Sequence, residues 1–581
     1  MNLDLSKGSR ERILAFIVLA LMTLFIGRLF YLQIIQHDHY VALAKREQQR
    51  QFVLPAERGQ IFAMDRDTPV PLVMNQTVYT VFADPSIINN TQPIIDMIQE
   101  VAGGNAKPKL DTLLNNKKSR YVILATDVTH KQAKLMKDKN LLGVGFTKGS
   151  MRVYPEGNLA SQVLGFVNRA DNGQYGIEGY FQERLSGVDG SLKTVADVRD
   201  VPLTVGNNNV NQPAKDGDDL VLTIDRNVQA YAERALAQGL KKSGAKEGSV
   251  LVLDPKNSHV MAMANLPTFN PEKYNEVDDS ARFQNATISQ PYEPGSDIKT
   301  FTMAAGIDKG VVSPDSTFNN TDYKKVEDIT ITNATKGQTG VTSMQKALNY
   351  SLNTGFVTIA ERLGSGDYIT KDARNTMYEY FHNRLKLGEF TNIQLQGEAR
   401  GTIVSPDVEQ GNAVRYSNMS FGQGMDATML QVTAGFGAII NGGTYYPPTV
   451  VKGVLTDSGE IAEEAATGPS SDVLKSSSSV TVRNMIRDAR RAFYASTDHP
   501  GYSIGGKTGT SQAIVNGKYS FDETIGTYLG FGGENGEDPS YVIMVRVSGR
   551  DQQLSGSLHA MPIFNDLSNW MLGYLKLQPK G

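Results

Sequence analysis

Ser296-Asp297-Ile298-Lys299, Ser351-Leu352-Asn353 and Lys507-Thr508-Gly509-Thr510 stand in that order in the second half of a 581-residue chain. Their residue types suit acyl transfer through a serine ester, with a lysine rather than a histidine handling the proton. Ser296 follows the turn-forming pair Pro294-Gly295 and precedes the apolar run Phe301-Thr302-Met303-Ala304-Ala305-Gly306, which sets it at a helix N-terminus. Unpaired N–H groups and the positive dipole end there favour a developing oxyanion. The i, i+3 spacing puts Lys299 one turn along on the same face, within reach of the serine oxygen. A lysine buried in that place can lose its proton and act as general base. Ser351 can relay a proton to a leaving group, and Asn353 can hold a substrate backbone. Lys507 offers a fixed positive charge on an edge strand, Gly509 lets a ligand approach the backbone closely, and Thr508 and Thr510 can donate hydrogen bonds. The backbone N–H groups of Ser296 and Thr510 form the natural oxyanion hole, each donor contributing on the order of 10²–10³ in rate.

Each motif also has a plainer reading. S-x-x-K occurs again as Ser243 with Lys246 and as Ser343 with Lys346. Taken alone, Ser296 is an N-cap, Asp297 a first-turn acid and Lys299 a solvated charge. Ser351 alone is a helix residue, and Lys507 alone a turn residue. What favours chemistry is the ordered set: Ser351 falls 55 residues after Ser296, and Lys507 a further 156 on, in one stretch that reads as a single domain. One rival pattern overlaps the third motif, because residues 501–508 match G-x-x-x-x-G-K-T. A phosphate-binding loop needs a buried strand before it and a helix after it, and neither flank fits.

The elements that must position these residues are legible as patterns. Residues 220–224 read as a strand and 227–242 as a helix. Residues 249–253 and 260–264 flank Asp254-Pro255-Lys256-Asn257 as an antiparallel hairpin. Residues 527–531 and 541–547 read as two late strands, with an apolar helix over about 561–575. Early strands, a helical middle and late strands predict an α+β domain whose sheet is closed by its two chain ends. Residues 456–479, with Ser476-Ser477-Ser478-Ser479, read as a surface loop. Nearer the N-terminus, residues 58–62 open a strand-like stretch running on through 78–82. Residues 90–140 look helical and lysine-rich, and the polar connector 207–213 places a boundary near residue 215.

Composition narrows the field. Hydrophobic content of 40% and charged content of 20% are ordinary for globular domains, and the length predicts two to four of them. A net charge of −3 disfavours a nucleic-acid partner. With no cysteine there is no thiolate nucleophile or disulfide framework, and the seven histidines show no H-E-x-x-H spacing, so neither metal nor cofactor is implied. Residues 13–35 are almost wholly apolar and would reach roughly 34 Å as a helix, enough to cross a hydrocarbon core of ~30 Å. Lys7, Arg10 and Arg12 precede this run, while Lys45, Arg46 and Arg50 follow it, so charge alone sets orientation weakly. No small-x-small site follows the run, which reads as an uncleaved signal anchor rather than a cleaved leader or a buried core helix. Arg28 reads as a side chain reaching toward the outer interface, or as a contact to a partner membrane helix. The expected organisation is a cytoplasmic tail 1–12, an anchor 13–35, a pedestal 36–215 and a catalytic domain 216–581.

With these residues in hand the chain resembles a class B penicillin-binding protein over nearly its whole length. Beyond the three motifs, the likeness rests on the anchor, Arg58-Gly59-Gln60-Ile61-Phe62 and Arg152-Val153-Tyr154-Pro155-Glu156-Gly157. Gly176-Ile177-Glu178-Gly179, Leu185-Ser186-Gly187-Val188-Asp189-Gly190 and Phe421-Gly422-Gln423-Gly424 add to it. The resemblance implies a transpeptidase domain with a five-stranded antiparallel sheet between helices, raised on an elongated pedestal, and D,D-transpeptidation of peptidoglycan. Ser296 would attack the penultimate D-alanine carbonyl of a stem peptide, and β-lactams would acylate the same serine. Lys507, Thr508 and Thr510 would grip the terminal carboxylate, and the pedestal would contact a polytopic glycan polymerase. A single-pass protein with its catalytic domain outside the plasma membrane follows; the compact pedestal leans toward the division type, with an elongation type as the alternative. A β-lactam hydrolase or sensor and a non-catalytic scaffold are the competing readings. Asp297 departs from the family, which usually has a small or hydroxylated residue there. Beside Lys299 it would favour the charged lysine, unless it points to solvent.

Overall fold

The apolar runs late and early in the second half pair with one another in the computed structural model, which describes residues 7–195, 210–465, 468, 470–515 and 518–580. Strands β1 (Glu247–Leu253), β2 (Val260–Leu266), β3 (Tyr502–Val515), β4 (Lys518–Glu534) and β5 (Tyr541–Ser548) form one antiparallel sheet in the order β2-β1-β5-β4-β3. β1 meets β5 from Glu247 opposite Ser548 to Leu253 opposite Val542, so the two ends of the domain close the sheet as expected. The helices that matter here are α1 (Arg226–Ser243), α2 (Lys299–Asp308), α3 (Asn353–Arg362), α4 (Met429–Ile440), α5 (Ser476–Tyr494) and α6 (Met561–Tyr574).

Both faces of the sheet are covered, which is why β1 and β5 read as continuous apolar runs rather than alternating ones. Val250, Val252, Ile543 and Val545 pack with Val228 and Leu236 of α1 and Leu567 and Met571 of α6. Leu251, Leu253, Val542 and Met544 turn the other way, toward Phe301 of α2 and Phe436 of α4. α4 is apolar nearly all round and buried at every residue, as a helix enclosed by protein on all sides must be.

The chain divides into two compact units, Met1–Arg58 with Ser186–Gly217, and Gly59–Leu185 with Asp218–Gly581. The first holds helix Lys7–Phe30 and a three-stranded sheet of Gln49–Leu54, Gly190–Val195 and Val210–Gln212. Over Arg10–Ile35 it is long and apolar enough to cross a membrane, and Phe16, Leu24 and Phe25 are exposed rather than packed into a core. The second unit holds the five-stranded sheet and a further sheet in which Ile61–Asp65 runs parallel to Leu220–Asp225.

Three local expectations change. The stretch 90–140 is helical at Gln92–Ala102, Leu110–Asn115 and His130–Asp138, but Val122–Thr129 is a strand. Its buried Val122, Leu124 and Val128 carry a period-2 signal that the surrounding lysines obscure. The serine run is the first turn of α5, not a loop; Ser479 Oγ donates to the Ile439 carbonyl at 2.7 Å and accepts from the Gly442 N–H at 2.9 Å. Of the connector 207–213, residues 207–209 lie outside the described residues, and Val210–Gln212 is a strand.

The basic segment that follows α5's start also has a packing reason. Arg490 is 2% exposed; it pairs with Asp498 at 2.6 Å, reaches Asn565 at 2.8 Å and donates to the Tyr528 hydroxyl of β4. Removing one partner of a buried pair leaves the other charge uncompensated, at about 3–5 kcal/mol. Arg490→Met is expected to lower unfolding stability in denaturant titration by about that amount, while Arg491→Met, at an exposed position, changes it by less than ~0.5 kcal/mol.

Candidate active site

Ser296 sits in a 3-10 turn, Gly295–Ile298, that leads directly into α2 at Lys299. The helix therefore begins three residues later than Pro-Gly alone suggests, and the turn aims the serine. Gly295 has φ +60°, and a Cβ there would come within 2.9 Å of the Thr510 carbonyl. Gly422 has φ +95° and lies so close to Gly295 that a Cβ would stand 1.8 Å from its carbonyl oxygen; the Gly295 N–H also donates to the Gly422 carbonyl at 3.0 Å. Two glycines thus let the Ser296 turn, β3 and the 421–424 segment meet backbone to backbone. Glu293 locks the approach, its Oε1 accepting from the Gly424 N–H at 2.7 Å and the Tyr519 hydroxyl at 2.8 Å.

Lys299 is 1% exposed, and its amine is surrounded by acceptors from the second motif. Nζ donates to the Ser351 carbonyl at 2.8 Å, Ser351 Oγ at 2.9 Å and Asn353 Oδ1 at 2.7 Å. The Asn353 amide is oriented by its Nδ2, which donates to the Thr332 carbonyl at 2.9 Å. Ser351 Oγ in turn donates to Ser296 Oγ at 3.2 Å. The hydrogen bonds run Ser296–Ser351–Lys299, so Ser351 stands between Ser296 and the amine that spacing alone places side by side. Ser351 has φ +53°, a left-handed conformation that costs a non-glycine residue about 1–3 kcal/mol and recurs where function demands it. Burial lowers the Lys299 pKa well below the ordinary lysine value, and the nearby Lys507 charge lowers it further.

The third motif lies in β3 at the sheet edge, inside a strand, which removes the phosphate-loop alternative. Lys507 is 6% exposed, its Nζ donating to the Thr508 carbonyl at 2.8 Å. Thr510 is exposed, and its Oγ1 accepts from the Gly556 N–H at 3.3 Å. Gly509 has a different reason from the one its type suggests. A Cβ there would stand 2.1 Å from Thr527 Oγ1 and 2.8 Å from Asp297 Oδ2, so the chain's own atoms fill that face rather than leaving it for a ligand.

Asp297 points neither to solvent nor to Lys299. It is 0% exposed, and its Oδ2 accepts from Thr527 Oγ1 of β4 at 2.6 Å. Burial pushes its pKa up to about 7, against the Thr527 hydrogen bond and the Lys507 charge. Lys507 is lowered to about 8 by burial, opposed by Asp297. Asp297 thus faces the third motif's lysine, and the expected rise of the Lys299 pKa is not found. The other two S-x-x-K copies are structural: Ser243 Oγ donates to the Gly239 carbonyl at 2.9 Å, and Ser343 caps helix Met344–Asn349. Thr527 and Glu293 escape motif reading. Thr527 has no local signal, whereas Glu293 in Tyr292-Glu293-Pro294-Gly295 could have been flagged as an acid beside a turn.

Residues 248–569 match the family model for the penicillin binding protein transpeptidase domain, and residues 53–222 that for the penicillin-binding protein dimerisation domain. Stage V sporulation protein D of Bacillus subtilis is 29% identical over 98% of this chain and 87% of its own length. The probable peptidoglycan D,D-transpeptidase PenA of Neisseria gonorrhoeae is 26% identical over 97% of this chain and 93% of its own. In fold, the chain is similar to a peptidoglycan synthetase from Bifidobacterium adolescentis (TM-score 0.72, 23% identity, 92% of this chain and 98% of that one). It is also similar to penicillin binding protein 3 of Mycobacterium tuberculosis complexed with aztreonam (TM-score 0.67, 24% identity, 91% and 98%).

The packing around Gly509 makes a direct prediction. Gly509→Ala forces Thr527 or Asp297 from its place and is expected to cost about 1–3 kcal/mol, read as a lowered thermal midpoint. Gly437→Ala, where a Cβ meets nothing within 4 Å inside α4, is expected to raise stability by about 0.4–1 kcal/mol.

Proposed function

The chain belongs to the penicillin-binding protein transpeptidase family, as a class B D,D-transpeptidase that cross-links peptidoglycan, and we propose that it works through an acyl ester on Ser296. The observation that carries this reading is the buried Lys299 amine, hydrogen-bonded to both Ser351 and Asn353. Ser296 Oγ attacks the penultimate D-alanine carbonyl carbon of a stem peptide, and its proton passes through Ser351 Oγ to neutral Lys299. The backbone N–H groups of Ser296 and Thr510 hold the tetrahedral oxyanion. The C–N bond then breaks, and the proton returns from Lys299 through Ser351 to the departing amine of terminal D-alanine. In the second half, the amine of a neighbouring strand attacks the ester and gives up a proton by the same route, the new amide forms, and Ser296 recovers its own. Lys507, with Thr508 and Thr510 on β3, takes the terminal carboxylate and aligns the peptide along the sheet edge.

We further propose a single-pass protein anchored by residues 13–35, with residues 1–12 in the cytoplasm and residues 36–581 outside the plasma membrane. The exposed apolar helix over Arg10–Ile35 supports this, because a core helix would be packed. The anchor and the pedestal 36–215, ahead of a catalytic domain 216–581, would meet a polytopic membrane glycan polymerase. The modest length of the pedestal favours the division-type role; depletion of the protein is then expected to give filamentous cells, and swollen round cells would point to elongation.

Labelled benzylpenicillin tests the chemistry. A stable adduct is expected on the peptide carrying Ser296, lost in Ser296→Ala at an unchanged thermal midpoint. Labelling that persists in the variant refutes the nucleophile; rapid turnover of the adduct favours a hydrolase, and no adduct at any concentration leaves a scaffold. Lys507→Ala is expected to slow acylation by carboxylate-bearing β-lactams at least tenfold while the thermal midpoint shifts little. Equal losses in both would make Lys507 structural.

A further inference from the structure

Two lysines lie buried in one site, and no described carboxylate forms an ion pair with either. Among the described residues, Lys299 donates hydrogen bonds to Ser351 and Asn353, and Lys507 to Thr508. Two ammonium ions in one low-dielectric pocket repel each other, so one of them is forced neutral. Acyl transfer has opposite needs of the pair: a neutral amine to take the serine proton, and a cation for the substrate carboxylate. The backbone does not decide between two identical side chains. Their surroundings must.

Asp297 breaks that symmetry by its placement. Successive side chains alternate across a strand, so Lys507 and the missing Cβ of Gly509 face the same side of β3. That side holds Asp297, inserted where the Gly509 side chain would be and held by Thr527, which stands opposite Gly509 in the β3–β4 ladder. One carboxylate oxygen has this hydroxyl; the other, Oδ1, is buried without a hydrogen-bond partner, so its negative charge has little local compensation. The remaining titratable and charged groups around it are Lys299 on α2, Tyr292 on the incoming segment, and Arg546 of β5, which lies 5.0 Å from the Tyr292 ring centre. Tyr292 is buried and held neutral, its pKa raised by burial and by the Asp297 charge. Arg546 stands opposite Thr527 in the β4–β5 ladder and so shares this face, but it reaches Gln290 rather than Asp297, and Lys507 is the cation whose charge acts on the carboxylate.

We propose that Asp297 is a positioning residue that keeps the site's positive charge on Lys507 and thereby leaves Lys299 as the neutral base. This rests on the Ser296 acyl-enzyme reading and adds to it the means by which two like residues are given unlike tasks. Burial pushes both groups toward their neutral forms, and each charge opposes that in the other: Lys507 lowers the Asp297 carboxyl and Asp297 raises Lys507. Lys507 carries charge below its pKa and loses it as pH rises through that value. Removing the neighbouring negative charge lowers the pKa, so the alkaline limb of acylation moves to lower pH. With less charge on Lys507, Lys299 holds its proton to higher pH, and the acid limb moves up.

The test is the rate constant for acylation of the full chain, in detergent, by labelled benzylpenicillin across pH 5.5–9. Asp297→Asn and Asp297→Thr are both expected to narrow the profile. The alkaline limb shifts down by about one pH unit, so that activity at pH 8 relative to its maximum falls about fivefold further than in the unaltered chain. Thr527→Val, which keeps the carboxylate but removes its donor, shifts that limb the same way by less, and serves if the Asp297 variants do not fold. Limbs that superimpose on those of the unaltered chain, at whatever loss of thermal midpoint, overturn the proposal, since a merely structural residue moves stability and not pH dependence. No acylation of the unaltered chain at any pH would overturn the Ser296 reading itself and this inference with it.

Discussion

The hydrogen bonds from Lys299 Nζ to the Ser351 carbonyl, Ser351 Oγ and Asn353 Oδ1 tie the first catalytic motif to the second across more than fifty residues of chain. Most of the site follows from that junction. It draws α2 and α3 together, holds Ser351 in a left-handed conformation and puts the Ser351 hydroxyl between the amine and the nucleophile. A buried amine with three acceptors is a contradictory object. Three acceptors favour an ammonium, whereas burial and the Lys507 charge favour a free amine. An amine that loses and regains its proton easily is what a shuttle between nucleophile and leaving group requires.

The second constraint is close backbone approach. Ser296 must lie beside the edge strand β3, and no side chain can stand between them. Gly295, Gly422 and Gly509 each leave out a Cβ that would collide with neighbouring chain. The sheet supplies the rigidity for this arrangement. Both of its faces are packed, and Arg490 reaches from α5 to the Tyr528 hydroxyl, next to Thr527 on β4. Thr527 then holds Asp297. Asp297, beside Ser296, is thus positioned by a strand 230 residues further along the chain.

How far this was legible from residues alone depends on the range of each interaction. The three motifs, the Pro-Gly turn and the five strands were readable because turn chemistry and apolar periodicity are local. The α+β class follows from the order of those elements, whereas the count of five antiparallel strands came from the family resemblance. Asp297 was not readable: its partner Thr527 sits in an ordinary strand, and only register puts it opposite Gly509. Gly509 was assigned to ligand approach for the same reason, since nothing nearby in sequence announces the carboxylate that fills its place. The serines at 476–479 look like a loop by composition, yet Ser479 satisfies the carbonyl end of α4 and starts α5. Tertiary packing overrides local preference in each case.

The proposed chemistry requires that near neutral pH the two buried lysines differ in charge, with Lys299 the neutral one. Neutron diffraction from a deuterium-exchanged crystal of the unliganded protein near pH 7 counts their hydrons directly. Two on Lys299 Nζ and three on Lys507 Nζ are the expected result. Three on Lys299 with two on Lys507 would contradict the account, because the base would then hold the proton it is meant to receive and the carboxylate site would have no charge.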